Sequence, residues 1–154
     1  MESLSFGEIR EEFIRRAHSV VWCSMATVDA HGRPRSRVIH TIWESDGSTG
    51  YIGTYRNSYK STHLVNNPYV SLAYITDLVR PLYVEALAEW ADDLETRLRA
   101  WAMFKEAAPP LGYDPSPIFI SPDHPRFGVL KLTPWRIQIE TNPPHTKQIW
   151  RKQD

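Results

Sequence analysis

The chain has 154 residues, 42% hydrophobic and 23% charged, values at which one globular domain (residues 1–154) with a buried core is expected. Its 18 basic and 18 acidic side chains cancel, which argues against a nucleic-acid or membrane-surface partner yet leaves room for one local basic pocket. The single cysteine, Cys23, excludes an internal disulfide and a cysteine metal site, and its apolar surroundings predict a buried structural thiol.

No apolar leader opens the sequence and no stretch reaches membrane-spanning length, so a cytoplasmic location is expected. Phe6, Ile9, Phe13 and Ala17 recur at helical spacing, predicting a helix from Phe6 to Arg16 with Ser5 as N-cap and Glu8 closing a capping box. Val20 to Val28 reads as a buried strand, followed by a turn at Asp29-Ala30-His31-Gly32. A second strand, Arg35 to Glu44, puts Arg35, Arg37, Ile39, Thr41 and Trp43 on one face and Ser36, Val38, His40 and Ile42 on the other. After the Asp46–Gly50 turn comes a short strand, Tyr51 to Thr54, and then a helix from Ser58 (N-cap) to Asn66, stopped by Asn67-Pro68. Tyr69 to Thr76 and Leu82 to Trp90 alternate as strands, and Leu94 to Ala107 is helical. Pro109 to Pro125 holds six of the twelve prolines and is expected to be a stiff irregular loop; a last strand, Phe127 to Glu140, precedes a polar, basic tail.

Strands of this length, joined antiparallel and flanked by helices, predict a mainly β barrel or sandwich of about six strands. Six Trp, seven Tyr and five Phe suit a β-rich core, a dimer interface or a stacked aromatic ligand.

Two patches carry chemistry. Gly32-Arg33-Pro34-Arg35-Ser36-Arg37-Val38-Ile39-His40 opens a strand with three arginines, and Thr54-Tyr55-Arg56-Asn57-Ser58-Tyr59-Lys60-Ser61 joins a strand end to a helix start. Free backbone N–H groups and the helix dipole favour an anion at such a helix start. Arg37 and Lys60 can add charge, and Thr54 and Ser58 can add hydroxyl donors. On local features alone, alternating strand arginines and a first-turn lysine read first as a solvated face and only second as a phosphate site.

The order of these elements resolves the choice. A Gly-x-Pro-x-x-Arg strand, a strand ending in Thr, a Ser-x-Lys helix and then Asn-Asn-Pro-x-Val-Ser-Leu together resemble the pyridoxamine 5′-phosphate oxidase-like split β-barrels, over Val20 to Trp90 and more loosely to Trp135-Arg136. The resemblance implies a six-stranded antiparallel split barrel, homodimeric, with FMN or the deazaflavin coenzyme F-420 at the interface. It implies that Arg37 contacts the phosphate, that the backbones of Val38, Ile39 and His40 face the isoalloxazine, and that Thr54 and Lys60 hold the ribityl phosphate. Further contacts would fall at Ser58, Tyr59 and Ser61. Three departures separate the chain from vitamin B6 oxidases: Tyr59 in place of the arginine before Lys60, Pro81 in place of a flavin-contacting glutamine, and no Arg-x-His near Trp135-Arg136. Arg56 is the candidate replacement for the missing arginine.

The functional expectation is a flavin-dependent oxidoreductase acting on a small substrate, FMN being preferred to F-420, with no catalytic side chain assignable because the cofactor carries the chemistry. A non-catalytic binder of flavin or haem, and a structural dimer with a vacant pocket, are the rivals. The six histidines show no HxH or HxxxH spacing, so no metal site is expected. His40 reads either as a flavin-edge contact or as a packed histidine, and Trp101 and Trp135 read as core packing ahead of pocket lining.

Overall fold

A computed structural model describes residues 3–75 and 77–154; Met1, Glu2 and Thr76, the last being the predicted end of the fourth strand, lie outside the described residues. Helix α1 (Phe6–Val20) starts at Ser5 as expected, with the Ser5 backbone N–H donating to the Glu8 carboxylate at 2.8 Å. It continues past the predicted Arg16 because its last turns are tied to the barrel. Arg16 and Ala17 are buried, and the Trp43 backbone N–H donates to His18 Nε2 at 2.9 Å. Val21 ends the helix at φ 70°, a strained value for a β-branched residue, so the first strand begins at Trp22 and not at Val20.

Strands β1 (Trp22–Val28), β2 (Pro34–Trp43), β3 (Gly50–Tyr55), β4 (Tyr69–Tyr74), β5 (Leu82–Trp90) and β6 (Phe127–Thr141) run in the spatial order β3-β2-β1-β4-β5-β6. A further β3–β6 pairing closes the ring, giving the expected six-stranded antiparallel barrel. Helices α2 (Tyr59–Asn66) and α3 (Leu94–Glu106) lie where the sequence predicts them. The proline-rich segment is irregular apart from α4 (Ser116–Phe119), pinned by burial of Phe119 against Phe127, ring centroids 5.1 Å apart. Where a polar tail is expected, the chain forms β7 (Thr146–Arg151), a hairpin partner of the second half of β6. Trp150 stacks on Phe6 at 4.9 Å and the Leu4 N–H donates to the Ile149 carbonyl at 2.9 Å; both partners are far away in sequence, so the tail's own polarity conceals the strand.

Inside the barrel lie Met25, Leu72, Tyr74, Val84, Leu130 and Leu132, joined by Ile9, Phe13 and Ala17 of α1. Cys23 is buried among them, and burial pushes its thiol up to about 12, as befits an inert structural cysteine. A second apolar cluster joins α3 and α4 to the barrel wall through Ile42, Tyr51, Phe104, Phe119 and Phe127; Trp101 packs edge-on against Phe127. Trp135, in contrast, is pushed outward by a bulge beside Pro134, which has no N–H for the ladder, and meets Tyr69 on the surface.

The ring is not evenly sewn. β2 has ten residues and β3 six, and among the described residues the two pair only at Thr41–Trp43 with Gly50–Ile52. From Pro34 to His40, β2 bonds β1 on one side alone, and Gly53–Tyr55 of β3 bonds β6 alone. The strands therefore part into a slot whose facing edges carry unpaired backbone N–H and C=O groups. No helix among the described residues is long and apolar enough to cross a membrane.

Candidate functional site

The open end of this slot is where the sequence-predicted residues gather. Arg37 rises from β2 with its guanidinium Nη1 donating to the Met25 carbonyl at 3.1 Å. Burial, and then the charge of Arg35, lowers its pKa. Lys60, in the first turn of α2, is likewise lowered by burial first and by Arg37 second. Two half-buried cations thus stand near enough for the charge of Arg37 to act on Lys60, and no carboxylate pairs with either among the described residues. Such an arrangement costs free energy until an anion enters it.

Ser58 sharpens the picture. It is the N-cap of α2, yet its hydroxyl makes no capping bond; Oγ is buried with no hydrogen-bond partner. The Ser61 N–H closes the first turn onto the Ser58 carbonyl at 2.9 Å, leaving the hydroxyl to spare. A buried hydroxyl without a partner is unfavourable unless something else accepts its proton. Ser58, Tyr59 and Ser61 also line an open concavity of about 480 Å³ with Asn57 and Thr62. The Tyr59 side chain, 87% exposed, stands at its rim. Lys60 shares a helix face with the buried His63 and Leu64 and so turns toward the barrel. Tyr59 and Ser61 thus lie toward this concavity and Lys60 toward the barrel, with Ser58 at the helix start.

Thr54 is half-buried at the slot edge of β3, opposite Gly128 of β6. A Cβ on Gly128 would lie 2.6 Å from the Trp90 ring and 2.8 Å from the Arg56 Cα, so only glycine lets the β3 end pass there. Arg56 is already engaged. It makes two bonds to Asp92, at 2.8 and 3.1 Å, stacks 4.5 Å over Trp90, and lies 3.5 Å from Ser61 Oγ. Ser61 Oγ itself donates to the Arg56 carbonyl at 2.6 Å. Arg33 and Arg35 are bound to Asp29 at 3.0 and 3.8 Å and brace the β1–β2 turn.

Val38 and His40 share the outer face of β2 and Ile39 turns inward, yet the three side chains have different surroundings. Val38 is 73% exposed, Ile39 packs on the barrel core, and His40 sits among Trp22, Phe104 and Tyr113 at centroid distances of 6.1, 5.3 and 5.1 Å. Burial lowers the His40 pKa, a backbone bond with Leu111 raises it less, and Nε2 is buried without a partner. What the three residues share toward the slot is backbone. Sequence reasoning placed His63 on the phosphate helix but missed its partner Thr27, and it missed Trp90, Asp92 and Gly128. Only Gly128, a glycine inside a strand pattern, carries a local signal.

A closed barrel with one split seam, and a cation pair without a carboxylate partner near that seam, is an arrangement suited to an anionic ligand lying along a strand edge. Residues 8–140 match the family model described as pyridoxamine 5′-phosphate oxidase, and the chain belongs to that family. No curated protein sequence matches the chain. Among solved structures it is similar to General Stress Protein 26 of Bacillus anthracis, with a TM-score of 0.70 at 20% identity over 94% of this chain and 99% of that one. It is also similar to a pyridoxamine 5′-phosphate oxidase-related, FMN-binding protein of Nostoc punctiforme, with a TM-score of 0.71 at 18% identity over 99% and 93%. An F-420 reductase gives a TM-score of 0.58 at 18% identity over 82% and 94%. At these identities the likeness is one of fold.

Proposed function

We propose that the protein is a homodimeric, FMN-dependent oxidoreductase acting on a small substrate. The observation that carries this is the half-buried Arg37–Lys60 pair, which has no carboxylate partner and stands at the mouth of the split between β2 and β3. A phosphate monoester satisfies both cations and can accept from the unpartnered Ser58 hydroxyl. The unpaired β2 edge from Pro34 to His40 offers alternating donors and acceptors to the polar rim of a flat heterocycle. When bound, FMN would supply hydride chemistry that no side chain here provides. The chain's own part is to fix the phosphate with Arg37, Lys60 and Ser58, to lay the ring along β2, and to exclude water.

F-420, the alternative cofactor, has a long anionic tail that needs free cations beyond the phosphate. Arg33 is bonded to Asp29 and Arg56 to Asp92, leaving Arg35, 3.8 Å from the same Asp29, as the one loosely held cation of the three, which favours FMN. The dimer is supported by the outer face of β1 and β4, where Ser24, Ala26, Ser71 and Ala73 make a flat patch. Trp22, Val38, Tyr69 and Trp135, all exposed, ring that patch. A second copy laid on it would bury these rings and cover the slot. Light scattering should give twice the chain mass, and Ser71→Arg should return it to one.

The deciding experiment is an absorption titration of the purified protein with FMN and then with F-420. Micromolar binding of FMN with a perturbed flavin spectrum is expected; binding of F-420 alone would move the assignment to the deazaflavin. If neither binds, the proposal fails. Reduction of bound FMN by a reduced nicotinamide separates an enzyme from a non-catalytic binder.

A further inference from the structure

Helix α2 begins after Ser58 and carries Lys60, and few contacts hold it: Ser61 Oγ donates to the Arg56 carbonyl at 2.6 Å, in the connection that leads into the helix. It has eight residues, too few to be stable by itself, and it packs chiefly on β1. Tyr59 and Val65 point to solvent, and only His63 and Leu64 are buried. Leu64 joins the barrel core, an apolar contact that tolerates sliding and rotation. His63 makes the directional contact with β1: its Nδ1 lies 2.8 Å from the hydroxyl of Thr27, a fully buried residue 36 positions away in sequence. Lys60, His63 and Leu64 stand at i, i+3 and i+4 and share one helix face. Whatever fixes His63 therefore also fixes where Lys60 points.

We propose that the buried Thr27–His63 hydrogen bond sets the rotation of α2 on the barrel and so holds Lys60 beside Arg37, making Thr27 and His63 positioning residues for the anion site. This rests on reading that site as a cofactor phosphate site. Neither residue need touch the phosphate. Each acts through Lys60, because a helix turned by one residue swings its side chains by about 100° and would carry the ammonium away from the barrel mouth.

The test uses Thr27→Val, which keeps the shape of the side chain and deletes the hydroxyl, beside Thr27→Ser, which restores it. FMN affinity should fall about tenfold in the valine variant and stay within about twofold of the parent in the serine variant. Thermal unfolding of both should remain well above the assay temperature. A merely structural role would not give this split. His63→Leu against His63→Asn, whose amide can reach the place of Nδ1, repeats the comparison should Thr27→Val not fold. A second readout needs no cofactor: the pH dependence of acetylation at Lys60, followed by mass spectrometry. The parent and Thr27→Ser should titrate below the ordinary lysine value, and Thr27→Val should move back toward it. An unchanged Lys60 titration in Thr27→Val, or FMN affinity within twofold of the parent, overturns the inference. If the parent binds no flavin, the cofactor reading fails, and the Lys60 titration still decides the helix rotation.

Discussion

Replacing Lys60 with alanine should have opposite effects on the empty and the loaded protein. In the empty protein, Lys60 and Arg37 repel each other across a half-buried gap with no carboxylate between them. Removing one cation relieves that repulsion, so the melting temperature should hold or rise by a few degrees. In the loaded protein, the same ammonium faces a phosphate. A contact between opposite unit charges about 4 Å apart contributes about 4 kcal/mol at the effective dielectric of a protein surface. The half exposure of Lys60 discounts this to about 2 kcal/mol, or roughly 30-fold in dissociation constant. Fluorescence titration with FMN measures the loss, and riboflavin, which lacks the phosphate, provides the control. Lys60→Ala should weaken FMN roughly 30-fold and riboflavin less than about twofold. Equal losses for both ligands, or a lower melting temperature with unchanged FMN binding, would refute the phosphate assignment.

Arg16 of α1 donates to the Glu140 carbonyl and, at 2.9 Å, to Thr141 Oγ1, and it reaches toward the Pro81 carbonyl at 3.5 Å. Arg16→Ala strands those buried acceptors and should destabilise by about 2–4 kcal/mol, read by urea unfolding, without altering FMN affinity in the surviving fold. Acidification should lower stability through His18 and His40, both held below the ordinary histidine value by burial first. Depressed folded values mean that the unfolded chain binds more protons. The contribution is therefore full above about pH 6.5 and is lost as pH falls through the folded values. Melting temperature measured from pH 8 to 5 should drop, and less steeply in His18→Gln; a flat profile contradicts this. Gly128→Ala forces a Cβ to within 2.6 Å of Trp90 and should cost about 1–3 kcal/mol by overpacking, measurable as a lowered melting temperature together with weaker FMN binding as the β3 end shifts.

Elements whose signals are local were legible in the sequence. β5 runs from Leu82 to Trp90 as its alternation predicts, and Ser5-Glu8 and Ser58 mark the helix starts. What escaped notice depends on partners far along the chain. β7 exists because β6 and Phe6 receive it, α1 is lengthened by contacts of Arg16 and His18 with other strands, and α4 survives in a proline-rich loop because Phe119 finds Phe127. Arg56 shows the same limit at the site. Its position three residues before Tyr59 suggested a phosphate contact, but Asp92, 36 residues on, already holds its guanidinium.

The split itself follows from a mismatch that the sequence does contain. A ten-residue strand beside a six-residue partner must overhang, and the gap is widened because Gly53–Tyr55 of β3 turn to β6 alone; the unpaired stretch, Pro34 to His40, carries Arg35 and Arg37. Backbone groups there cannot all be satisfied by β1, so the fold is stable only if water or a ligand takes the remainder. The same geometry that leaves β2 unpaired brings the first turn of α2 to the mouth of the gap, because the chain leaves β3 at Tyr55 and starts the helix at Tyr59. The unpaired edge and the charge without a carboxylate partner thus meet where β3 leaves β2. A flat ligand with a phosphate at one end answers both.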